Sequence, residues 1–375
     1  MTDLSEAAPA AAPECPAEQG FRMPAEWEPH EATWIGWPHN LTDWPGKFEP
    51  IPWVYGEIVR RLTQSEIVRI LVQSRQHETQ ARRVLKRAGV DFDRVEFFEC
   101  KTNRGWTRDF GPTFLTRQLP PARRGRKRRQ ELAVAGFRFN AWARYRDWER
   151  DTQVAALVSR KFKLPYFLAT VDGKPVVLEG GSIDVNGRGS VVTTEECLLD
   201  PRIQVRNPHL DRAGIERALR ENLNVSNVIW LGRGIVGDDT HGHIDDLCRF
   251  VNPTTVVLCA EANSRDENFG ALRENRERLR SVRLENGKRL KVIDLPMPAP
   301  LFFDGRRLPA SYANFYIANA AVLVPTFNEP NDRVALEILA DCFPRRTVVG
   351  IHAVDLVWGL GTLHCITQQQ PAVRT

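Results

Sequence analysis

The chain has 375 residues, 42% of them hydrophobic, which is enough to bury a large core in one or two domains. No apolar run approaches the roughly 18 residues of a membrane-spanning helix, and the start of the chain lacks the pattern of a signal peptide. The formal net charge of +5 does not indicate a nucleic-acid-binding protein, because the segment 117–129 alone carries seven basic residues and no aromatic one.

The predicted elements begin with a tail. Residues 1–20 are rich in Ala, Pro and Glu without periodicity, so we predict a flexible segment and a folded chain that begins at Phe21. Short β-branched runs predict strands at 32–37, 67–73, 94–99, 190–194, 225–231, 254–260, 289–295, 320–327 and 346–353. Amphipathic stretches predict helices at 53–64, 77–89, 151–162, 209–223, 267–282 and 331–343.

This alternation predicts one α/β domain over residues 21–375, with no composition shift that would divide it. The basic segment 117–129 is typical of an exposed connection between two strand-like segments. No glycine-rich phosphate loop follows any predicted strand, so we expect no nucleotide cofactor.

The seven cysteines are scattered along the chain, and no two of them form a C-x-x-C pair. An odd, dispersed set argues against a disulfide framework or a zinc ribbon and is typical of a reducing compartment. We therefore expect a cytoplasmic protein, in which a reactive cysteine must be recognised from its local setting.

The segment GDDTHGHIDDL, residues 237–247, places two histidines and four aspartates within nine positions. If the backbone of this segment is extended, alternation puts His241, His243 and Asp245 on one face. Such a face suits a three-ligand metal site as well as it suits a catalytic pair. The other histidines lie in unrelated segments, but the spacing by itself leaves both interpretations open.

Three further segments combine polar residues with glycine: NRGWTRDFGP (103–112), LEGGSID (178–184) and GLGTLHCITQQQ (359–370). The last of them contains Cys365, the cysteine in the most reactive setting, because neighbouring glycines let a backbone approach a ligand closely. A thiol, an imidazole, several carboxylates and a tryptophan together suit a guanidinium ion. Carboxylates bind this planar cation in a bidentate manner, and an indole stacks on it.

Six motifs then occur in a familiar order: MPAEWEPHEATWIGWP, WTRDFGP, LEGGSID, DDTHGHIDD, LPASYANFYIANAAVLVPTFNEPND and HCITQQ. On these motifs the chain, from about Met23 to Gln370, resembles the agmatine deiminases and the related bacterial peptidylarginine-deiminase type of the guanidino-group-modifying superfamily. The resemblance implies a pentein fold, a five-bladed pseudo-symmetric α/β propeller of ββαβ units with the site on the central axis. It also implies hydrolysis of agmatine to N-carbamoylputrescine and ammonia, a step toward putrescine, without a metal or other cofactor.

The resemblance implies a covalent mechanism that involves three residues. Cys365 is similar to the nucleophile that attacks the guanidinium carbon and forms an amidino-cysteine intermediate. His243 is implied to protonate the leaving ammonia and then to activate water. Glu179 is implied to hold the imidazole and to favour its charged form. A bound cation or a protonated His243 would favour the thiolate.

The resemblance also implies a set of substrate contacts. Asp109 and Asp245 would bind the guanidinium nitrogens, Trp106 would pack along the substrate, and Asp239 would contact its distal end. Arg108, in contrast, is expected to pair with carboxylates of the protein itself.

The chain departs from the family pattern at His241, Asp246, Thr362 and Leu363, which we interpret as positions near the substrate's tail. The reaction class is therefore better defined than the substrate, and arginine or peptidyl-arginine remain alternatives to agmatine. An amidinotransferase, which passes the amidino group to an amine instead of water, also remains open.

Two hypotheses of other classes remain. A metal-dependent amide or amidine hydrolase would use His241, His243 and Asp245 as ligands. A binding protein without turnover would use the same pocket to hold an arginine-like group. The predicted partner in each case is a small guanidino compound, not nucleic acid or a membrane, and a homo-oligomer is left open.

Overall fold

The computed structural model describes residues 15–119 and 129–373. The α-helices, α1 to α8 in chain order, are Ile51–Leu62, Arg75–Arg87, Thr107–Phe110, Val154–Phe162, Glu195–Leu199, Arg212–Leu223, Asn268–Leu279 and Asn331–Cys342. The strands, β1 to β20, are His30–Gly36, Ile67–Val72, Val95–Glu99, Thr113–Gln118, Gln130–Gly136, Tyr166–Leu168, Thr170–Val171, Lys174–Pro175, Asp184–Val185, Ser190–Thr194, Asn227–Leu231, Cys248–Asn252, Thr255–Ala260, Lys291–Pro296, Phe302–Phe303, Arg306–Arg307, Tyr316–Ile317, Ala321–Thr326, Thr347–His352 and Thr367–Pro371.

Five of the sheets share one pattern, an antiparallel pair of strands followed by a strand parallel to the second. They are β4-β5-β6, β9-β10-β11, β12-β13-β14, β17-β18-β19 and β20-β1-β2-β3. A helix lies between the two parallel strands in each sheet: α4, α6, α7, α8 and α1, respectively. Two parallel strands require such a crossover connection. The chain must return to the end of the sheet where the first strand began, and a tight turn is too short to do this. The chain is therefore built from ββαβ units.

The two ends of the described chain meet in one sheet. Strand β20 pairs antiparallel with β1, and Trp34 lies opposite Gln368 in this pairing. The C-terminal strand therefore completes the unit that β1 and β2 begin. This arrangement brings the loop before β20, with Cys365, next to the N-terminal part of the fold.

The predicted strands and helices are confirmed, with ends that differ by a few residues. Helix α2 begins where Ser74 accepts a hydrogen bond from the His77 N–H. Helix α6 begins where Asp211 caps the Gly214 N–H at 2.8 Å, and it ends at Asn224, which has a left-handed backbone. Central strands such as β13 and β18 are buried along almost their full length, which explains their continuous apolar sequences.

Strand β20 was not predicted, because its sequence TQQQP has no apolar alternation. It is nevertheless buried, and each of its three glutamine side chains forms at least one hydrogen bond. The Gln370 carbonyl accepts hydrogen bonds from Trp34 Nε1 at 2.9 Å and from Arg69 Nη1 at 2.6 Å. Gln368 donates to the Pro112 carbonyl at 2.8 Å. The strand is thus specified by partners that are distant in sequence.

Residues 15–20, predicted as part of the tail, form a turn that contacts the end of α6. The Ala17 N–H donates to the Glu221 carbonyl at 3.0 Å, and the Phe21 N–H donates to the Pro16 carbonyl at 3.0 Å. The hydrogen-bonded chain thus begins before the predicted boundary at Phe21. The rest of the predicted tail and residues 120–128 of the predicted basic connection lie outside the described residues.

The buried side chains form two hydrophobic clusters. The larger one contains residues of β1, β2, β13, β18 and α8, and the smaller one contains residues of β5, β10 and α6. Within the described ranges, no helix has the length and apolar character needed to cross a membrane. The polar loops at the strand ends are therefore anchored in a closely packed core, which keeps their side chains in fixed positions.

We expect Gln370→Ala to destabilise the fold by about 1–3 kcal/mol, because it removes the acceptor of the buried Trp34 Nε1 and of Arg69 Nη1. Chemical unfolding of the purified protein measures this change. The control is Gln64→Ala, at an exposed position, which should stay within about 0.5 kcal/mol of wild type. Equal stability of the two variants would contradict this account of β20.

Candidate active site

The sequence motifs converge on one buried cluster of titratable side chains. The ring of His243 lies with Nδ1 3.9 Å from Asp109 Oδ1 and 3.9 Å from Asp245 Oδ1, and with Nε2 3.9 Å from Glu179 Oε2. The Cys365 sulfur lies 3.7 Å from Asp245 Oδ2. The thiol and the imidazole thus face the same carboxylate.

His243 is buried, and neither ring nitrogen has a hydrogen-bond partner in the part of the chain that the structure describes. Burial lowers the pKa of this imidazole, but the nearby Asp109 carboxylate, Cys197 and Glu179 outweigh burial and raise it well above its ordinary value. The ring is therefore an imidazolium at neutral pH. It can donate a proton to a group that enters the cluster.

Glu179 is held by a buried cation. Its Oε1 accepts a hydrogen bond from Arg206 Nε at 3.2 Å, while Oε2 faces the imidazole without a hydrogen bond to any described residue. Burial raises the pKa of the Glu179 carboxyl, but Arg206 and His243 overcome this effect and hold it at about 2. Glu179 is therefore a permanent negative charge beside the ring.

Asp109 follows Trp106 in the short helix α3, and both of its oxygens are occupied. Oδ1 accepts from the Gly181 N–H at 3.0 Å, and Oδ2 accepts from Trp142 Nε1 at 2.8 Å. Burial, with Asp245 and Glu179 nearby, raises the pKa of Asp109 to about 6, although His243 opposes the shift. This carboxylate has a fixed orientation, and a cation bound beside it would favour its ionised form.

Asp245 is oriented by His364, a residue whose role the sequence did not reveal. His364 Nδ1 lies 2.7 Å from Asp245 Oδ2, and its Nε2 lies 2.7 Å from Glu26 Oε2. Arg249 Nη2 contacts the same Glu26 oxygen at 3.0 Å. The expectation that His364 sits in an unrelated context was therefore wrong. The sequence contained one indication that His364 belongs to the site, namely its position directly before Cys365.

Cys365 is buried next to these carboxylates. Its sulfur accepts a hydrogen bond from Asn314 Nδ2 at 3.1 Å. Burial raises the pKa of the thiol well above its ordinary value of 9.0, and the carboxylates of Asp245, Asp246 and Asp109 raise it further. The free protein therefore holds a neutral thiol at physiological pH. A cation placed among these carboxylates would favour the thiolate.

The glycines of LEGGSID are required by contact distances. A Cβ on Gly180 would lie 2.2 Å from the Arg108 carbonyl oxygen. A Cβ on Gly181 would lie 2.6 Å from His243 Nδ1 and 2.8 Å from Asp109 Oδ1. The pair thus lets the 180–182 turn pass directly against the cluster, where no side chain fits.

The glycines near Cys365 serve packing as well. A Cβ on Gly359 would lie 2.5 Å from Trp44 Nε1, and one on Gly361 would lie 2.9 Å from Trp106 Cζ3. The rings of Trp44 and Trp106 pack against each other with centroids 5.2 Å apart. The sequence predicted that glycines let this loop approach a ligand closely. In the structure, these glycines let the loop pack closely against two tryptophan rings.

A cleft connects the cluster to the surface. Its lining residues include Trp106, Asp109, Trp142, Tyr145, Asp239 and Cys365. Asp239 accepts a hydrogen bond from the Tyr145 hydroxyl at 2.6 Å and pairs with Arg144 Nη2 at 3.1 Å. The predicted substrate contacts Trp106 and Asp239 therefore border the same cleft as the predicted nucleophile.

Arg108 does not line this cleft. Its Nη1 donates to Gln369 Oε1 at 2.7 Å, and its Nη2 lies 3.4 Å from Glu26. The expected pairing of Arg108 with a carboxylate of the protein is confirmed.

The extended conformation considered for residues 240–246 was wrong. His241 has a left-handed backbone with φ of +64°, and residues 244–246 form a 3-10 helix. The His241 ring turns away and places Nε2 3.0 Å from Asp200 Oδ2. His241, His243 and Asp245 therefore do not share a face, and the hypothetical three-ligand metal site loses one of its ligands.

Other sets could hold a metal ion. Within the described ranges, two clusters bring three potential ligand atoms within 4.8 Å of one another: Glu179, Cys197 and His243, and Asp245, Asp246 and Cys365. Both include residues of the site described above, so a metal ion bound there would compete with any other cation for the same carboxylates.

The departures at Asp246, Thr362 and Leu363 do not border the cleft, contrary to our interpretation. Asn314 donates to Asp246 Oδ1 at 3.0 Å and accepts from Thr362 Oγ1 at 2.8 Å. Asp246 and Thr362 therefore orient the Asn314 amide that contacts the Cys365 sulfur. They belong to the surroundings of Cys365, and they do not line the cleft in which the tail of a substrate would lie.

Known proteins share this architecture. The model of the Porphyromonas-type peptidyl-arginine deiminase family matches residues 22–371. The chain belongs to this family. The agmatine deiminase of Medicago truncatula is 37% identical over 96% of this chain and 98% of that protein, and the agmatine deiminase of Ectopseudomonas mendocina (strain ymp) is 35% identical over 95% and 97%. A solved agmatine deiminase of Enterococcus faecalis has a TM-score of 0.83 and 32% identity, covering 97% of this chain and 99% of that one.

The ββαβ units are therefore those of the α/β pentein-like fold of this deiminase family. The residues that converge in the cluster come from the motifs on which the resemblance to the family was recognised. These motifs are far apart in the sequence and come together only in the folded chain.

We expect Gly181→Ala to reduce deiminase turnover by about a hundredfold or more, because its methyl group would displace the His243 ring or the Asp109 carboxylate. Ammonia release from guanidino compounds measures the effect. The control is Gly270→Ala in α7, where an added Cβ has open space and should leave turnover unchanged. Normal turnover of Gly181→Ala would show that these contacts do not shape the site.

Proposed function

We propose that the protein hydrolyses a guanidino compound to the corresponding ureido compound and ammonia, with agmatine as the substrate and N-carbamoylputrescine as the product. The observation that carries the proposal is the buried group of carboxylates around a thiol and an imidazolium. The names of the relatives agree with it, since both are agmatine deiminases. Such a step leads toward putrescine.

The planar cation would bind between Asp109 and Asp245. Each carboxylate can hold guanidinium N–H groups in a bidentate manner, which fixes the plane of the central carbon. Asp245 Oδ1 has no hydrogen-bond partner among the described residues and is thus free to accept from a substrate. The rings of Trp106 and Trp142 would flank the alkyl part in the cleft.

As the cation binds, the Cys365 thiol would lose its proton to solvent, because the His243 ring is already protonated. The first chemical step would then be the attack of the Cys365 thiolate on the guanidinium carbon. A C–S bond forms, and the C–N bond to one terminal nitrogen then breaks. His243 donates a proton to that nitrogen, which leaves as ammonia, and a cationic amidino-cysteine remains. Glu179 stabilises the charged ring before the transfer, because its own pKa of about 2 keeps it ionised.

In the second step a water molecule attacks the amidino carbon while neutral His243 accepts a proton from it. The C–S bond breaks and the sulfur leaves as thiolate. The carbonyl oxygen of the ureido product comes from the water, and the remaining proton passes to solvent. The overall reaction converts a guanidinium ion and water into a urea and an ammonium ion, so that atoms and charge balance without an oxidant or a reductant.

The substrate would activate its own nucleophile. The Cys365 thiol is neutral in the free protein because burial and three carboxylates oppose its ionisation. A guanidinium ion cancels part of this negative potential and favours the thiolate only when the target carbon is in place. This coupling would protect the nucleophile from other electrophiles.

We further propose that the five ββαβ units form a five-bladed propeller with the site on its axis, and that these units belong to a single domain. The five-fold strand pattern and the junction of β20 with β1 support this arrangement. A cytoplasmic location is proposed as well, because a nucleophilic thiol is preserved in a reducing compartment.

The decisive experiment is ammonia release from agmatine, arginine, methylguanidine and a peptide that ends in arginine. We expect agmatine to be the best substrate, and we expect Cys365→Ala to lower kcat by about a thousandfold or more. Cys342→Ala, outside the cluster, is the matched control.

Each alternative predicts another outcome of this panel. Turnover that survives in Cys365→Ala but is lost with a chelator would indicate a metal-dependent hydrolase. Tight binding of agmatine by wild type without ammonia would indicate a binding protein. Transfer of the amidino group to an added amine would indicate an amidinotransferase.

The raised pKa of Cys365 predicts slow alkylation of the free enzyme. Because the thiol is protonated below its pKa, the rate of iodoacetamide labelling should rise with pH and reach half its maximum above pH 9.0. Asp245→Asn removes one of the opposing carboxylates and should shift this midpoint to lower pH. Site-resolved mass spectrometry measures labelling at Cys365.

The control for charge is Asp172→Asn. It removes an exposed carboxylate in the turn between β7 and β8 and should leave the midpoint of the labelling curve unchanged. A labelling rate at pH 7 that already equals the maximum would show that the free enzyme holds a thiolate, which would overturn the proposal of substrate-dependent activation.

A further inference from the structure

The far end of the cleft contains a carboxylate that the protein has already paired. Asp239 is 10% exposed, and its two oxygens are engaged by the Tyr145 hydroxyl at 2.6 Å and by Arg144 Nη2 at 3.1 Å. Arg144 is 43% exposed and reaches Asp239 from the solvent side. The negative charge expected at this end is therefore balanced by a guanidinium of the chain itself.

A series of contacts separates this pair from the reacting centre. Asp109 accepts from the Trp142 indole at 2.8 Å, the Trp142 and Tyr145 rings pack with centroids 5.9 Å apart, and Tyr145 donates to Asp239. A substrate held at Asp109 thus runs past an indole and a phenol before it meets Asp239. The Arg144 pair lies where a cationic tail would end.

The segment that carries Arg144 is held firmly. Ala141, Trp142 and Ala143 all have positive φ, between +50° and +59°, a conformation that non-glycine residues rarely adopt in succession. The Gln204 amide donates to the carbonyls of both Trp142 and Asp239, at 3.1 and 3.0 Å. Gln204 thus links the backbone two residues before Arg144 to the backbone of Asp239, whereas the Arg144 side chain is largely exposed.

We propose that Arg144 is a specificity-determining residue that competes with the substrate's distal cation for Asp239. An amine-tailed guanidine must displace the Arg144 guanidinium toward solvent, whereas a guanidine with an uncharged tail leaves the pair intact. Arg144 thereby weakens the preference for dicationic over monocationic guanidines. The inference rests on the proposed function, because it concerns the tail of the same substrate.

The pair is partly exposed, so its effect is moderate. Surface ion pairs contribute up to about 1 kcal/mol, which corresponds to about a fivefold change in an equilibrium constant. Because exposed charges are screened by salt, the competition should weaken as ionic strength increases.

The experiment compares agmatine with n-pentylguanidine, which has a methyl group in place of the ammonium, in wild type and in Arg144→Ala. The measured quantity is the ratio of kcat/KM for the two compounds. We expect Arg144→Ala to raise this ratio about three- to fivefold in low salt, through a lower KM for agmatine with kcat unchanged. The gain should shrink at high salt.

Two variants serve as controls. Arg146→Ala removes an equal positive charge from an exposed side chain that forms no ion pair with the described residues. This variant should have the same ratio of kcat/KM values as wild type. Arg144→Lys keeps the charge and should restore a ratio close to wild type.

An unchanged ratio in Arg144→Ala, or the same change in Arg146→Ala, would overturn the inference. A lower kcat/KM for agmatine in Arg144→Ala would also overturn it, since Arg144 would then support Asp239 and not compete for it. These outcomes differ from failure of the proposed function, which appears as absence of ammonia from wild type with either compound.

Discussion

The cluster of carboxylates buried around one sulfur atom is the constraint on which the rest of the site depends. Carboxylates lose hydration when they are buried, so each one must be stabilised by a fixed cation or hydrogen-bond donor. Arg206 donates a hydrogen bond to Glu179, and the His364 ring forms a hydrogen bond with Asp245. Asp109 accepts hydrogen bonds only from neutral donors, an indole and a backbone N–H, and it shares the charge of the His243 ring, 3.9 Å away, with Glu179 and Asp245. The negative charge of this cluster raises the pKa of the Cys365 thiol, and it would favour the binding of a cation.

This electrostatic arrangement dictates local structure. The 180–182 turn passes so close to His243 and Asp109 that glycine is needed at 181. The polar strand β20 is buried next to the loop that carries Cys365, and its glutamine side chains form hydrogen bonds with groups that are distant in the sequence. The junction of β20 with β1 therefore unites the ends of the described chain next to the loop that carries Cys365.

Sequence reasoning predicted much of this molecule, and its failures have physical causes. The apolar strands and amphipathic helices were predicted because their periodicity records burial. Strand β20 and the role of His364 were missed because both depend on hydrogen bonds to partners far away in the sequence. The interpretation of Asp246 and Thr362 as tail contacts was wrong, because positions next to a motif can point behind the reacting atom as well as toward the ligand.

The sequence by itself determined the α/β class, the family and the short motifs that carry the reactive side chains, since each of these is encoded by residues close together in the chain. The tertiary structure decided which carboxylate faces which nitrogen, that His241 turns to Asp200, and that Arg144 neutralises Asp239. Local patterns specify residue types. Charge balance in a buried site is a sum over atoms from several loops, and only the folded chain brings those atoms within a few ångströms of one another.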